Sequence, residues 1–451
     1  MSSPGPTRRD LLLATAAAAS AAALASCASS PPPVLRPRAA NDRLRIGVVG
    51  CGGKGLSDMQ ACARTADIVA LCDVDLGKAK QAREEQPKAT FYDDWRDLVD
   101  RERLDGLVVS TPDHSHAGPA LAAMARGVHV FVQKPLSHTV AEARLLRDAA
   151  RKTKLITSMG NQGTCLDGFR TAAECVRGGV IGTVTEVHVW TDRPIWPQGI
   201  DRPKHVDPIP SSLRWDLWLG PAAWRPYASG RKDGEFKGYA PFHWRAWWDF
   251  GTGALGDMAC HVANLPFYAL ELDAPTSVEA IADGRNSETA PKRATIKFQF
   301  PARGTRGPVT MYWYDGGDLP PAELLPGVKL RSGGFLLKGD RGTLYSPTDY
   351  GERFDIYQNG EIAVVPMPQP YLPRSPGIHD EWLEGIRTGV QPMANFEYAG
   401  PFTEAMLLGN LALRTGERLE WDAATLRVTN SAAAQELVGK SYRRGFELTV
   451  V

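Results

Sequence analysis

Short apolar runs separated by amphipathic segments dominate the first third of the chain. Arg45–Val49, Ile68–Cys72, Gly106–Ser110, Val128–Val132 and Leu155–Ser158 read as strands, with helices such as Pro119–Ala125 and Val140–Lys152 between them. Strand–helix alternation predicts a doubly wound, parallel α/β sheet with right-handed crossovers, and places ligands at the C-terminal strand ends. The texture changes after about Met159. A helix near Phe169–Arg177 leads into a strand, Val184–Thr191; a Pro- and Trp-rich stretch from Arg193 to Phe250 and a short helix after Gly256 follow. Thr276–Ala282, Ala294–Phe300, Val309–Tyr314, Gly334–Lys338 and Thr343–Tyr345 are strands separated by turn residues, which predicts a mostly antiparallel sheet. Helices near His379–Arg387 and Gly400–Arg414 are expected to return over the first domain.

The N-terminus adds an address. Thr7-Arg8-Arg9-Asp10-Leu11-Leu12 reads as a twin-arginine export signal. The Ala-rich stretch Leu11–Leu24 is shorter than the ~20 residues of a membrane span. Leu24-Ala25-Ser26-Cys27 resembles a lipobox, in which Cys27 is acylated and anchors the mature chain; an ordinary signal-peptidase site is the other reading. Residues 28–42 are rich in Ser, Pro and Ala and read as a tether. The expected organisation is therefore signal 1–27, linker 28–42, a doubly wound first domain 43–158 and second domain 159–451, with a Trp-rich insertion over 190–250. The expected location is periplasmic or cell-envelope.

The 451 residues suffice for two domains, and a formal charge of +1 offers no field for nucleic acid or acidic lipid. Six cysteines besides Cys27 stand in mostly apolar or Gly-rich surroundings without a C-x-x-C pair, so they read as small buried residues.

The first strand runs into Gly50-Cys51-Gly52-Gly53-Lys54-Gly55, a G-x-G-x-x-G turn opening a helix. Gly50, Gly52 and Gly55 suit the tight turn, the approach of a pyrophosphate and close helix–strand packing, while the helix N-terminus offers free N–H groups. The second strand ends in Asp73, about 20 residues on, where a carboxylate takes ribose hydroxyls and repels the extra phosphate of NADP. The cofactor expected is NAD. Outside the cytoplasm no NAD pool is expected, so the cofactor must be held tightly and recycled within each turnover, or pass its electrons to a second substrate.

Two loops follow strands that point at the same cleft. Ser110-Thr111-Pro112-Asp113-His114-Ser115-His116 lies where a cofactor ring would pass, and Gln133-Lys134-Pro135 brings a lysine that can donate to a substrate oxygen. Asp257 and His261 are four apart on one helix face: a histidine can take a hydroxyl proton, and an acid can orient it. A helix cap and a satisfied buried histidine are the plainer reading of that pair. No third ligand at useful spacing supports a metal. Eight of the twelve tryptophans lie between Trp190 and Trp248, interspersed with polar groups. Aromatic faces beside polar groups suit sugars, which makes Arg193, Trp196, His243 and Trp244 candidates for a substrate pocket; a Trp-rich core accounts for most of the others.

Together the Gly loop with Asp73, the Thr111–His116 segment, Gln133-Lys134-Pro135 and Asp257–His261 resemble the Gfo/Idh/MocA family of glucose–fructose oxidoreductase and inositol dehydrogenase. The resemblance implies a Rossmann domain plus an open-faced α+β domain that pairs into dimers or tetramers. It implies a cofactor held by Gly50, Gly52, Gly53, Gly55, Asp73, Thr111, Pro112, His116, Gln133 and Lys134, with Lys134, Asp257 and His261 around the reacting carbon. Two positions depart from it: Gln133 stands for the family's Glu and Asp113 for its Asn. The segment Trp190–Pro197 resembles an exported subgroup. Three functions follow: hydride transfer to and from a sugar hydroxyl, redox-neutral glycoside cleavage (oxidation, elimination, hydration, reduction), or a tethered sugar-binding protein that keeps NAD as structure.

Overall fold

Buried aliphatic side chains build the first sheet. β1 (Arg45–Val49), β2 (Asp67–Cys72), β3 (Thr90–Tyr92), β4 (Gly106–Val109), β5 (His129–Val132) and β6 (Thr157–Met159) run parallel in the order β3-β2-β1-β4-β5-β6. Every residue of β4 and β5 is buried, as a sheet covered by helices on both faces requires. The strand order reverses between β1 and β4, so the switch point lies beside the Gly loop and Ser110. This computed structural model describes residues 43–229 and 238–451. The twin-arginine stretch, Cys27 and the 28–42 tether lie outside the described residues.

The strand and helix positions expected from the sequence recur here within one to four residues at their ends. β6 extends to Met159, one residue past the expected boundary. β3 is an addition: three partly exposed edge residues are too short to show a period.

The second sheet has ten strands: β7 (Val184–Trp190), β8 (Ser277–Asp283), β9 (Arg293–Phe300), β10 (Val309–Tyr314), β11 (Gly334–Gly339), β12 (Thr343–Ser346), β13 (Asp355–Gln358), β14 (Glu361–Ile362), β15 (Leu419–Asp422) and β16 (Arg427–Val428). Only the β7–β10 pairing is parallel. In β9, Ala294, Ile296, Phe298 and Phe300 are buried while the residues between them are not, which is the period-two pattern of a one-sided sheet.

Two late helices return to the first domain, as the sequence led us to expect. On the helix Ile378–Thr388, Trp382 is fully buried, and a Cβ on Gly106 would lie 2.7 Å from its ring. On the helix Phe396–Thr415, Glu404 accepts from Arg144 at 2.8 and 3.0 Å. The Trp-rich stretch builds its own core, in which Trp215, Trp218, Tyr239, Trp247 and Phe250 pack together and the first two rings stack at 4.7 Å. Six free cysteines are described, all but Cys165 buried. No helix among the described residues is long and apolar enough to cross a membrane.

Candidate functional site

A cavity of about 510 Å³ opens at the switch point. Its floor is the Gly loop and the ends of β2 and β4. One wall is Gln133, Lys134, Asp257, Arg245 and Trp244, and Trp218 and the C-terminal Tyr442, Phe446 and Leu448 complete the lining.

The loop is shaped for a ligand that needs backbone contact. Gly50 has φ +78°, and a Cβ on Gly55 would fall 1.7 Å from the Gly50 carbonyl oxygen. The helix Lys54–Ala63 begins with no side-chain cap and no acid in its first turn. Its leading N–H groups and positive dipole end are thus left for a pyrophosphate, and the donor set fits a dinucleotide. Gly55→Ala is expected to weaken NAD binding at least about tenfold, roughly 1.4 kcal/mol, because the turn must open to admit the methyl group. Titration of intrinsic fluorescence with NAD measures this, and an unchanged affinity would exclude the loop as the binding element.

Asp73 lines the cavity just past the end of β2, and it also holds the loop. Its Oδ2 accepts from the N–H groups of Cys51 (3.0 Å) and Gly52 (3.2 Å), and its Oδ1 from that of Asp75 (2.9 Å). Burial pushes its pKa up to about 6 against the pull of those donors. The carboxylate braces the loop from beneath as well as lining the cavity.

Beneath the loop lies a network that the sequence did not announce. Asp58 is fully buried and accepts from Lys54 Nζ (2.5 Å), Ser110 Oγ (2.8 Å), Gln133 Nε2 (2.8 Å) and His379 Nε2 (3.0 Å). Burial opposes its charge, but the His379 hydrogen bond and the Lys54 cation hold its pKa below the usual value. Gln133 thus pairs with a carboxylate where a glutamate would repel one. An acid four residues after Lys54 was the available signal, but His379 enters from 321 positions away.

Lys134, Asp257 and Arg245 form the charged wall. Lys134 Nζ donates to Asp257 Oδ1 and to its carbonyl oxygen, both at 2.9 Å, and Arg245 Nε donates to the same Oδ1 at 3.2 Å. Burial works against the Asp257 carboxylate, but Lys134 and then Arg245 bring its pKa down to about 2. The Arg245 guanidinium lies 4.3 Å from the Trp244 ring centroid and 4.4 Å from that of Phe242. Sequence reasoning noted Arg245 only as a polar neighbour of tryptophans; its aim at Asp257 depends on the short turn His243–Ala246 packing against the helix Gly253–Val262.

His261 stands one turn from Asp257 but off the cavity lining. It is 6% exposed, with its ring 4.6 Å from that of Tyr350, and its Nδ1 has no hydrogen-bond partner among the described residues. Burial and the Lys134 charge lower its pKa to about 3, so it is a neutral imidazole.

The other expected residues divide. Thr111 and Pro112 line the cavity. His116 does not: its Nδ1 lies 2.8 Å from the Pro135 carbonyl and its Nε2 2.7 Å from that of Thr111, which ties the two loops together and leaves neither ring nitrogen for a cofactor. Trp244 lines the cavity, whereas Trp196 donates its indole N–H to Gln198 inside the aromatic core. His243 is buried with its ring edge-to-face against Phe242, and Arg193 pairs with Asp192; neither is on the cavity lining. Among the described residues no cluster of three or more metal-ligating side chains occurs.

Known proteins bear on this arrangement. Residues 44–161 match an oxidoreductase family's NAD-binding Rossmann fold, and residues 181–319 its C-terminal alpha/beta domain. A glycosyl hydrolase family 109 protein of Shewanella sp. (strain W3-18-1) is 34% identical over 124 residues, covering 25% of this chain and 27% of that protein. Inositol 2-dehydrogenase of Salmonella typhimurium is 28% identical over 150 residues, covering 32% and 45%. The matched stretches thus span under half the length of these curated relatives. Among solved structures, the WlbA dehydrogenase of Bordetella pertussis, in complex with NADH and UDP-GlcNAcA, superposes with a TM-score of 0.59 at 18% identity over 84% of this chain and 99% of that one. The aldose-aldose oxidoreductase of Caulobacter crescentus, complexed with glycerol, gives 0.55 at 18% identity over 84% and 100%. With the two family domains in order and the dinucleotide cradle facing the Lys134–Asp257 wall, this chain belongs to the Gfo/Idh/MocA oxidoreductase family.

Proposed function

We propose that this protein oxidises a secondary hydroxyl of a sugar or glycoside, using a tightly held NAD. The observation that carries this reading is the placement of the Lys134–Asp257–Arg245 cluster on the same cavity as the Gly loop. When bound, NAD supplies a hydride acceptor at its nicotinamide. Lys134 and Asp257 hold the substrate's oxygens, His261, one helical turn from Asp257, is the neutral imidazole that receives the hydroxyl proton, and Trp244 offers an apolar face to the sugar. Asp73 and Asp75 at the end of β2 favour NAD over NADP through their charge.

The test is to mix the purified protein with free sugars and with aryl glycosides and follow the absorbance of reduced cofactor. Accumulation, or electron transfer to a second sugar, supports the reading; no reduction with any of them sinks it. The relative named for glycoside hydrolysis favours a second reading, redox-neutral cleavage, seen as aglycone release without net reduced cofactor.

The same proposal puts the protein in the cell envelope, through Arg8-Arg9 and an acylated Cys27, as a dimer or tetramer. Mass spectrometry of the exported protein, without added cofactor, tests whether NAD travels with it and whether Cys27 carries lipid.

A further inference from the structure

Oxidising a carbinol releases one proton from oxygen, and the proposed function already assigns Lys134, Asp257 and His261 to that event. The cavity holds another carboxyl that this chemistry does not use. Asp113 lies in the turn after β4, is 3% exposed, and lines the cavity with Lys134, Arg245 and Asp257. Its Oδ2 accepts from the Thr252 N–H (3.1 Å) and the Thr252 hydroxyl (2.7 Å). Its Oδ1 accepts nothing among the described residues and is not among the side-chain atoms sealed away without a partner. Thr252 immediately precedes the helix that carries Asp257, so one backbone turn positions both carboxyls. They differ in company: Asp257 touches two cations, Asp113 only neutral donors.

A ketone acidifies the neighbouring C–H, and a leaving group one carbon further on departs once that proton is gone. We infer that Asp113 is the base that removes this proton from a bound keto-glycoside and so expels the aglycone. The inference rests on the oxidoreductase reading, which supplies the carbonyl. The C–H electron pair becomes a carbon–carbon double bond. The C–O bond to the aglycone breaks with its pair on oxygen, which takes a proton from water. The hydroxide left behind adds to the anomeric carbon as Asp113 returns its proton to the neighbouring carbon. One water is consumed, and this sequence needs no oxidant.

Burial first, and then repulsion from Asp257, push Asp113 up to about 7, against the Thr252 hydrogen bond and the Arg245 and Lys134 charges. Asp113 therefore takes and returns a proton near neutrality while Asp257 stays ionised. Pairs of acids driven apart in this way are how one site separates acid–base roles.

The test uses the full chain with bound NAD in heavy water. The probes are nitrophenyl ketoglycosides of gluco and galacto configuration, each anomer. Wild type should release nitrophenol and wash deuterium into the carbon beside the carbonyl, at a rate rising through neutral pH to a plateau. Asp113→Asn should slow both at least about 10²-fold and abolish the pH limb, while keeping an acceptor for Thr252; melting and NAD titration check its fold. Thr252→Val, which removes one donor to the carboxylate, should move the limb to higher pH, and does so even if the Asn variant fails to fold. Wild-type exchange by Asp113→Asn, an unmoved limb in Thr252→Val, or no exchange by wild type on any of the four probes overturns the inference. Exchange and release from the ketoglycosides, with neither cofactor reduction, exchange nor release from any unoxidised glycoside or sugar, would instead sink the redox reading and leave Asp113 its role.

Discussion

Lys134→Met should lower kcat/KM by at least about 10²-fold with little change in NAD affinity, the usual size of an acid–base or polarising contribution. An ammonium carries three donors. Two are spent on Asp257, at 2.9 Å each, and the third is left for a substrate oxygen on the cavity side. The lysine also sets the state of its neighbours. It is the largest attraction keeping Asp257 ionised, and its charge helps hold His261 neutral. A methionine of similar length keeps the packing but removes all three effects together. Steady-state kinetics beside an NAD titration make the distinction: equal loss of both would mean a fold defect, and wild-type turnover would remove this wall from the chemistry.

Asp58→Ala should cost about 3–5 kcal/mol of stability, the range for removing one partner of a buried ionic network. Lys54 is half-exposed and can turn to water. Ser110 lines the cavity and can do the same, but Gln133 and His379 are buried, and each of these two would be left with a donor unpaired, while Ser110 would lose its tie to the helix Lys54–Ala63. The three donors come from the loop after β5, the end of β4 and the returning helix Ile378–Thr388, so the loss should spread to the Lys134 loop and to NAD binding. Asp58→Asn, which keeps one oxygen acceptor but not the charge, should lie between. The pH dependence has a definite sign. The folded-state pKa of Asp58 is depressed, so its contribution is complete above the unfolded value near 4 and is lost as pH falls below it. Urea unfolding of wild type and variant should therefore converge at low pH. A difference under about 1 kcal/mol at neutral pH would show the network to be dispensable.

The elements most legible in the sequence were those whose signal is local. The Gly loop, its strand and Asp73 stand within one β-α-β stretch, and a buried parallel strand such as Gly106–Val109 declares itself by an unbroken apolar run. Asp257 and His261 were readable as one helix face, because a helix enforces that neighbourhood whatever surrounds it. β3, β13, β14, β15 and β16 were missed: two to four residues hold too few periods to distinguish from loop.

What local pattern cannot carry is the direction in which a side chain ends up pointing. Trp196 and Trp244 were equal candidates by composition, yet one donates into the aromatic core and the other lines the cavity. His116 sits in the expected motif, but two backbone carbonyls occupy its ring.

From the sequence alone came the dinucleotide cradle, the two-domain plan and the loops that carry the chemistry, because each depends on residues a few positions apart. The tertiary structure alone decided that Asp58 answers His379, that Arg245 answers Asp257 and that Asp113 keeps an oxygen toward the cavity. The physical reason is that a buried polar group must find its partner through space, and the chain that brings the partner there is long.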